Sequence, residues 1–423
     1  MKGLTSCLLP LRREGYRLLW LSSINWYAAR QMDILVTSWV TLQLTNSAFD
    51  VALIGFFRFI PVMLFGTFAG AIADRLNRRR LVLATTSANV LVACAVATLF
   101  QANLVEFWHL AVANVTLGLC WAIEWPSRRA MMPDLAGKEL LLPAVVVDTL
   151  SMNANRVLGP LVGGTLLAIL SSAQCFYVLA AVYGAGLAPL LLLRLPAIRP
   201  PQRTATLRFI LEGLGYCYRY QAVRGVLLIT VVMNAFFFPY SQLLSVVARD
   251  VLRVGPVELG LLASGDGIGS LIGAMLLISS DRLRRQGPVF VFGSLAMSIA
   301  LLVFALSPMF LLSFAMLTLA GVAHSAFSTY QSTIILGEVG DALRARVMGI
   351  LTVAIGSSPV GMLFMGAIAG AHGAPWALGL SGVLGALLVG GSVALAPNLL
   401  TYEVPRSRAM APLPARGARV AQQ

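Results

Sequence analysis

The strongest constraint on this chain is a series of twelve apolar stretches, each about long enough to cross a lipid bilayer as a helix. A crossing helix needs roughly 20 predominantly apolar residues. We place the stretches at 18–44, 51–73, 81–100, 107–126, 141–170, 175–193, 223–247, 258–279, 288–306, 309–336, 347–370 and 376–397. Only 11% of the 423 residues are charged, against about 25% in soluble domains. The sequence predicts an all-α integral membrane protein with twelve transmembrane helices.

The distribution of positive charge predicts the orientation. The formal net charge is +14, and 26 of the 31 lysines and arginines fall on one side of the predicted membrane, the side that also holds both termini. Only Arg249 and Arg253 fall in a loop on the other side. Because cytoplasmic loops are enriched in lysine and arginine, both termini are expected in the cytoplasm. The basic balance therefore indicates topology and not a nucleic-acid-binding surface.

The chain is predicted to form two six-helix bundles. The first covers 1–193 and the second covers 223–397. Between them, 194–222 is predicted to be a cytoplasmic linker with an amphipathic helix, and 398–423 a disordered basic cytoplasmic tail. The triplet at Asp74-Arg75-Leu76 recurs at Asp281-Arg282-Leu283, which supports a duplication. Duplicated halves of this kind hold substrate between them, near the bilayer midplane.

Two short motifs carry a resemblance to a known family. The turn after the second stretch has the spacing Gly70-x-x-x-Asp74-Arg75-x-x-Arg78-Arg79, and the fifth stretch contains Gly159-Pro160-x-x-Gly163-Gly164. Both resemble motifs of the major facilitator superfamily of secondary transporters. Further runs at 44–47, 58–61, 126–135 and 344–349 resemble the branch that includes the enterobactin exporter and macrolide-efflux proteins.

The resemblance implies a conformational latch and an antiporter-type helix. The latch would consist of Gly70, Asp74, Arg75, Arg78, Arg79, Asp281 and Arg282, which would tie the two halves together in one state. The motif of Gly159, Pro160, Gly163 and Gly164 is associated with exporters of the antiporter type. The sequence departs from the family in the fourth stretch, where Asn114 stands at a position that usually holds arginine.

Charged residues inside the stretches are the candidates for coupling. Each costs roughly 2.5–3.5 kcal/mol at the centre of a membrane helix, so each is a functional candidate. The proton-coupling candidates are Asp33, Asp266, Glu124 and Asp148. Asp33 is favoured among them. The alternative for Asp33 is a structural ion pair with Arg30, three residues away on one helix face, that never titrates.

A second set of polar and aromatic residues is predicted to line a substrate cavity. Its members are Arg30, Arg58, Arg156, Trp26, Trp39, Trp121, Asn114, His324 and Tyr330. Buried arginines beside aromatic rings would fit an anionic aromatic compound such as a catecholate siderophore. His324 has a second interpretation, because a lone intramembrane histidine is as often a packing residue as a proton relay.

Together with the family resemblance, these observations predict a secondary active transporter. The resemblance also implies that this multi-pass protein lies in a bacterial inner (plasma) membrane. We expect proton-coupled export, by antiport, of a bulky amphipathic small molecule such as a siderophore. The alternatives are a multidrug or macrolide efflux pump and, from another class, a lipid-handling or sensor scaffold with the transporter fold. Five scattered cysteines and three histidines give no metal spacing, so we expect no cofactor, no metal and no enzyme activity. The expected partners are a small-molecule substrate, protons and membrane lipid, with no nucleic acid, and the chain is expected to be a monomer.

Overall fold

The computed structural model of the protein describes residues 8–194, 215, 217–218, 220–278, 285–339 and 341–403. The first half contains α1 (Glu14–Thr45), α2 (Ala48–Arg75), α3 (Arg78–Gln101), α4 (Phe107–Ala136), α5 (Leu141–Ile169) and α6 (Ser172–Leu192). The second half contains α7 (Gln221–Val251), α8 (Pro256–Ile278), α9 (Gln286–Leu306), α10 (Phe310–Glu338), α11 (Asp341–Ile355 and Ser358–His372) and α12 (Ala374–Leu395). The predicted all-α fold with twelve long helices is confirmed.

Ten of these helices are long and apolar enough to cross a membrane by length and composition. The other two, α1 and α5, have sufficient length but carry charged residues in their interior. These are Arg30 and Asp33 in α1, and Asp148 and Arg156 in α5. Their polarity is therefore an indication that part of each helix faces protein or a cavity instead of lipid.

The two halves contact each other through α5 with α8 and through α2 with α11. Glycines allow the close approach of α5 and α8: a Cβ atom on Gly164 would lie 2.3 Å from the carbonyl oxygen of Pro256, and one on Gly260 would lie 2.5 Å from that of Pro160. Small residues at helix interfaces allow this kind of contact in membrane proteins. The contact lies where α5 ends and α8 begins.

The turn from α1 to α2 lies at this same end of the molecule, which we call the closed end. Arg249, near the end of α7, donates to the carbonyl oxygen of Leu42 at 3.1 Å and to Oδ1 of Asn46 at 2.7 Å. Trp39, Leu42 and Val51 of the first half belong to one buried core with residues of the second half. Apolar packing and hydrogen bonds therefore join the halves at the closed end.

Helix α7 contains two irregular turns that the sequence pattern did not predict. Residues Met233–Phe237 and Val247–Val251 form π-helical turns. Such turns are rare and often lie at functional sites. The first of them lies where α7 reaches the interior of the molecule, since Asn234 and Phe238 line a cavity there.

Most of the predicted linker and tail lies outside the described residues, which omit 195–214 and 404–423. The first part of the predicted tail is described and forms a short 3-10 turn, Pro397–Leu399. Leu399 is buried, and its atoms lie close to Gly225 and Gly287. These residues therefore pack against the start of α7 and of α9.

Candidate functional site

A cavity of about 450 Å³ lies between the two halves. Its lining comes from α1, α2, α4 and α5 in the first half and from α7, α8, α10 and α11 in the second half. Small-molecule sites are typically about 300–1,000 Å³. The charged and histidine residues of the lining are Arg30, Arg156, Asp266 and His324.

Three of these side chains form a polar cluster that bridges the halves. Arg156 of α5 donates to the carboxylate of Asp266 in α8 and lies 3.1 Å, Nη2 to Nδ1, from His324 in α10. The distance from His324 Nδ1 to Asp266 Oδ1 is 3.4 Å. Because the cluster links α5 to α8 and α10, any relative movement of the halves acts directly on its hydrogen bonds.

The run 265–269 explains why Asp266 lies at this junction. A Cβ atom on Gly267 would lie 2.9 Å from the carbonyl oxygen of Arg156, and one on Gly269 would lie 1.9 Å from that of Thr318. The glycines thus place α8 in tight contact with α5 on one side and with α10 on the other. The side chain of Asp266 is held where the three helices meet.

Arg30 has a different environment from the other buried arginines. Its guanidinium carbon lies 3.9 Å from the ring centroid of Trp121 and 6.0 Å from that of Trp26. Trp121 also contacts Phe59 edge to face, with a centroid distance of 5.1 Å. Arg30 therefore lies over the aromatic wall that the first half contributes to the cavity.

The possible Arg30–Asp33 pair does not form in this structure. Asp33 instead accepts from Arg58 of α2 and, at 3.0 Å, from the hydroxyl of Thr37. Arg58 also donates through Nε to Asn114 of α4 at 2.8 Å. This corrects the alternative interpretation of Asp33 as the partner of Arg30. Two residues three positions apart share a face of a helix, but a neighbouring helix can still supply the partner of either one. The network is buried within the first half, and none of its members lines the cavity.

Glu124, another coupling candidate, belongs to a fully buried network. Its side chain is 0% exposed and accepts from Arg128 at 2.6 Å, whose side chain is 2% exposed. It also accepts from Thr86 at 2.8 Å and from Asn89 at 3.3 Å, both in α3. Arg128 in turn donates to the hydroxyl of Ser22 in α1 at 3.0 Å. The network joins α1, α3 and α4, and none of its members lines the cavity.

We expect Glu124→Gln to destabilise the protein and not to act on coupling. Removing one partner of a buried ion pair costs about 3–5 kcal/mol, because the other charge is left uncompensated. The midpoint of thermal unfolding of the purified protein should fall by several degrees. Asp134→Asn is the matched control, since Asp134 in the same helix pairs with Arg78 near the surface and should change the midpoint little. An unchanged midpoint for Glu124→Gln would contradict the structural role.

Asp148, the fourth coupling candidate, is buried between α5 and α1. The hydroxyl of Tyr27 lies 3.0 Å from each of its carboxylate oxygens. Tyr27 packs against Trp26 and Trp125, with centroid distances of 5.4 and 6.2 Å. Asp148 therefore lies in an aromatic cluster of the first half and does not line the cavity.

Of the nine predicted cavity residues, Arg30, Arg156, Trp121 and His324 line the cavity. The other five lie elsewhere, which corrects the sequence prediction. Arg58 and Asn114 belong to the Asp33 network, Trp26 to the Tyr27 cluster, and Trp39 and Tyr330 to the buried core. Hydropathy gives the depth of a residue but not the direction in which it points.

Sequence reasoning missed the aromatic wall of the second half. Phe238, Phe327 and His324 lie together, with centroid distances of 5.0 Å from Phe238 to His324 and 5.9 Å from Phe238 to Phe327. All three line the cavity, opposite Phe59 and Trp121. Phenylalanine occurs in eight of the twelve predicted stretches, so its presence alone does not separate these rings from those that face lipid.

The antiporter-type motif lies at two helix contacts. Gly159 and Gly163 face α1, since Cβ atoms there would lie 2.5 Å from Cβ of Gln31 and 3.3 Å from Cα of Met32. Gly164 faces α8, as described above. The motif thus allows α5 to pack closely against a helix of its own half and one of the other half.

The side chains of two of the predicted latch residues are described, and both contact residues of the first half. Arg78 donates to Asp134 at 3.1 Å, and Arg79 donates to the carbonyl oxygens of Leu190 and Leu191 at 3.1 and 2.8 Å. The side chains of 67–75, including Asp74 and Arg75, and the whole of 279–284, including Asp281 and Arg282, lie outside the described residues.

The sequence matches a family model over nearly its whole length. The model is described as "Transmembrane secretion effector" and matches residues 5–421. The chain is 25% identical to the multidrug efflux pump Tap of Mycolicibacterium fortuitum, over 82% of this chain and 87% of that protein. It is 24% identical to the staphyloferrin A transporter of Staphylococcus aureus (79% and 85%) and 26% identical to the enterobactin exporter EntS of Shigella boydii (81% and 80%).

Solved structures show the same fold at lower identity. A bacterial homologue of the human lysosomal transporter Spinster aligns with a TM-score of 0.70 at 15% identity, covering 94% of this chain and 99% of that one. The nucleoside transporter NupG aligns with a TM-score of 0.68 at 14% identity, covering 93% and 98%. With its two six-helix halves and central cavity, this chain belongs to the transmembrane secretion effector family, within the major facilitator superfamily of transporters.

Proposed function

We propose that this protein exports a bulky amphipathic small molecule, such as a siderophore, in exchange for protons. The observation that carries the proposal is the cavity between the halves, which contains a cluster of ionisable groups shared by both. A transporter needs a central site that faces each side in turn, and relative movement of two bundles can supply it. Relatives that are named as exporters of enterobactin and of drugs support the outward direction.

The proposed orientation has both termini in the cytoplasm, which the positive-inside rule supports. With that orientation, the closed end lies outside the cell and the external side of the transporter is sealed. The seal consists of the α5–α8 contact and the hydrogen bonds from Arg249 to the α1–α2 turn. A substrate of the cytoplasm would enter the cavity in this state and leave after the seal opens.

Among the four carboxylates, Asp266 supports coupling best. It lines the cavity, whereas Asp33, Glu124 and Asp148 lie within the first half.

The titratable or charged groups around Asp266 are Arg156 from α5, His324 from α10 and Tyr240 from α7, which lines the same cavity. A proton on Asp266 would remove the charge that holds Arg156, and so would loosen the link between the halves. After the substrate has left, the protonated transporter could then return to the state that is sealed on the external side. The proton would enter the cell with this return, and export would thus be coupled to proton entry.

A multidrug pump is the second candidate, and the aromatic walls favour it. Flat rings on both sides of a cavity bind many planar molecules by stacking and do not require one pattern of hydrogen bonds. The similarity to Tap agrees with this alternative. The range of compounds that are transported separates a siderophore exporter from a multidrug pump.

The test is transport by the purified protein in liposomes with an acidic lumen. A catecholate siderophore, a macrolide and a cationic dye are offered outside in turn. The proposal predicts that at least one compound accumulates against its gradient, and that dissipating the pH difference stops the accumulation. Binding of lipid or ligand without movement of any compound would instead support the scaffold alternative and contradict the proposal.

A further inference from the structure

Arg30 is the cavity arginine that forms no ion pair with a carboxylate among the described residues. Arg58 pairs with Asp33, Arg128 with Glu124 and Arg156 with Asp266. The contacts of Arg30 are instead the rings of Trp121 and Trp26. A charge at membrane depth is costly, and residues of this kind face a cavity or a partner. Here Arg30 faces the cavity.

The position of Arg30 over Trp121 leaves the guanidinium able to bind a ligand. A cation over an indole ring is attracted to the face of the ring, and a guanidinium has five N–H donors, which in Arg30 make no bond to a carboxylate among the described residues. These donors match the two oxygens of a carboxylate, a catecholate or a sulfonate. The tryptophan thus holds the cation in place without neutralising it.

The aromatic rings complete the description of the ligand. Phe59 and Trp121 line the cavity from the first half, and Phe238 and Phe327 line it from the second. The charged groups of the lining are Arg30, Arg156 and Asp266, which are two positive groups and one negative group. The cavity therefore favours a flat molecule that carries an acidic group.

We propose that Arg30, held over Trp121, is the subsite that binds the acidic group of an anionic aromatic substrate. The inference rests on the proposed function, because it assigns the cavity to the transported molecule. It narrows the substrate class from amphipathic compounds in general to planar anions. Such a substrate leaves the cell as a negative charge, so an interior-negative membrane potential drives its export in addition to the pH gradient.

The test uses two dyes that share a three-ring xanthene core and differ in charge. Fluorescein is anionic at neutral pH and rhodamine 123 is cationic. Equilibrium binding of each dye is measured with the purified full-length protein, for wild type, Arg30→Gln, Arg30→Lys and Arg129→Gln. Arg129 is the matched control, because it lies 4.6 Å over the ring of Trp125 and outside the cavity.

We expect Arg30→Gln to weaken fluorescein binding by roughly 10- to 100-fold, the range for loss of a hydrogen bond to a charged group. Arg30→Lys should have an intermediate effect because it keeps the charge and loses the planar fork. Arg129→Gln should bind fluorescein like wild type, and rhodamine 123 should not bind more weakly to Arg30→Gln. Absence of fluorescein binding to wild type, or equal binding by Arg30→Gln, would overturn the inference. If fluorescein binding depends on Arg30 but none of the compounds offered to the liposomes is moved, the anion-binding subsite stands and the proposed transport fails.

Discussion

Replacement of Asp266 by asparagine is expected to uncouple transport from the pH gradient. The amide keeps the shape of the side chain but cannot ionise, so Arg156 loses the charge that ties α5 to α8. The variant would resemble the protonated state at every pH. Uptake into liposomes with an acidic lumen should then equal uptake without a gradient, while movement of substrate down its own gradient continues. That residual movement shows that the variant is folded.

Asp33→Asn is the matched comparison, since it removes the carboxylate of another buried aspartate–arginine pair. The Asp33 network lies within the first half, so its loss should lower the yield of folded protein. The protein that does fold should still respond to the gradient. The reverse pattern, in which Asp33→Asn loses the response and Asp266→Asn keeps it, would move the coupling site to Asp33.

The second large effect is expected for Gly164→Leu, which should prevent the close contact of α5 with α8 at the closed end. Even a Cβ atom at this position would lie 2.3 Å from the carbonyl oxygen of Pro256, and leucine adds three more carbons. Overpacking costs about 1–3 kcal/mol, which shifts a two-state equilibrium roughly 5- to 150-fold. The variant should favour a state in which α5 and α8 separate at this end, and transport should fall by a similar factor.

Spin labels at Ser171 and Val257 measure this separation, because both residues are exposed near the closed end and belong to different halves. The labels are placed in a background without the native cysteines. The distance distribution should move to longer values in Gly164→Leu. Gly184→Leu is the control, since Gly184 has open space around it, and it should leave the distribution unchanged. An unchanged distribution in Gly164→Leu as well would contradict the assignment of the α5–α8 contact as the seal.

The fold was predictable from the sequence because the bilayer imposes a simple rule. A stretch of about 20 apolar residues that must satisfy its backbone hydrogen bonds internally forms a helix. The polar helices α1 and α5 were recognised for the same reason, since their long apolar segments flank Arg30 and Arg156. The π-helical turns of α7 were not predictable, because one additional residue per turn leaves hydropathy unchanged.

The site was only partly predictable, because hydropathy does not give the direction of a side chain. Asp33 and Arg30 share a helix face, yet the partner of Asp33 is Arg58, 25 positions away. Trp39 and Tyr330 lie at a suitable depth but point into the core. Arg156, Asp266 and His324 each stand out in the sequence as charged or polar residues within apolar stretches. Their association depends on how the two halves pack, which no local pattern encodes.

The lumenal pH of liposomes during substrate entry tests the central claim most directly. The protein is reconstituted with a pH-sensitive dye in an acidic lumen, and a compound that is transported is added outside. The account predicts that lumenal pH rises as the compound enters, because each entry is exchanged for outward movement of protons, and that Asp266→Asn abolishes this rise. Entry of the compound with constant lumenal pH, or with a further fall, would contradict proton exchange.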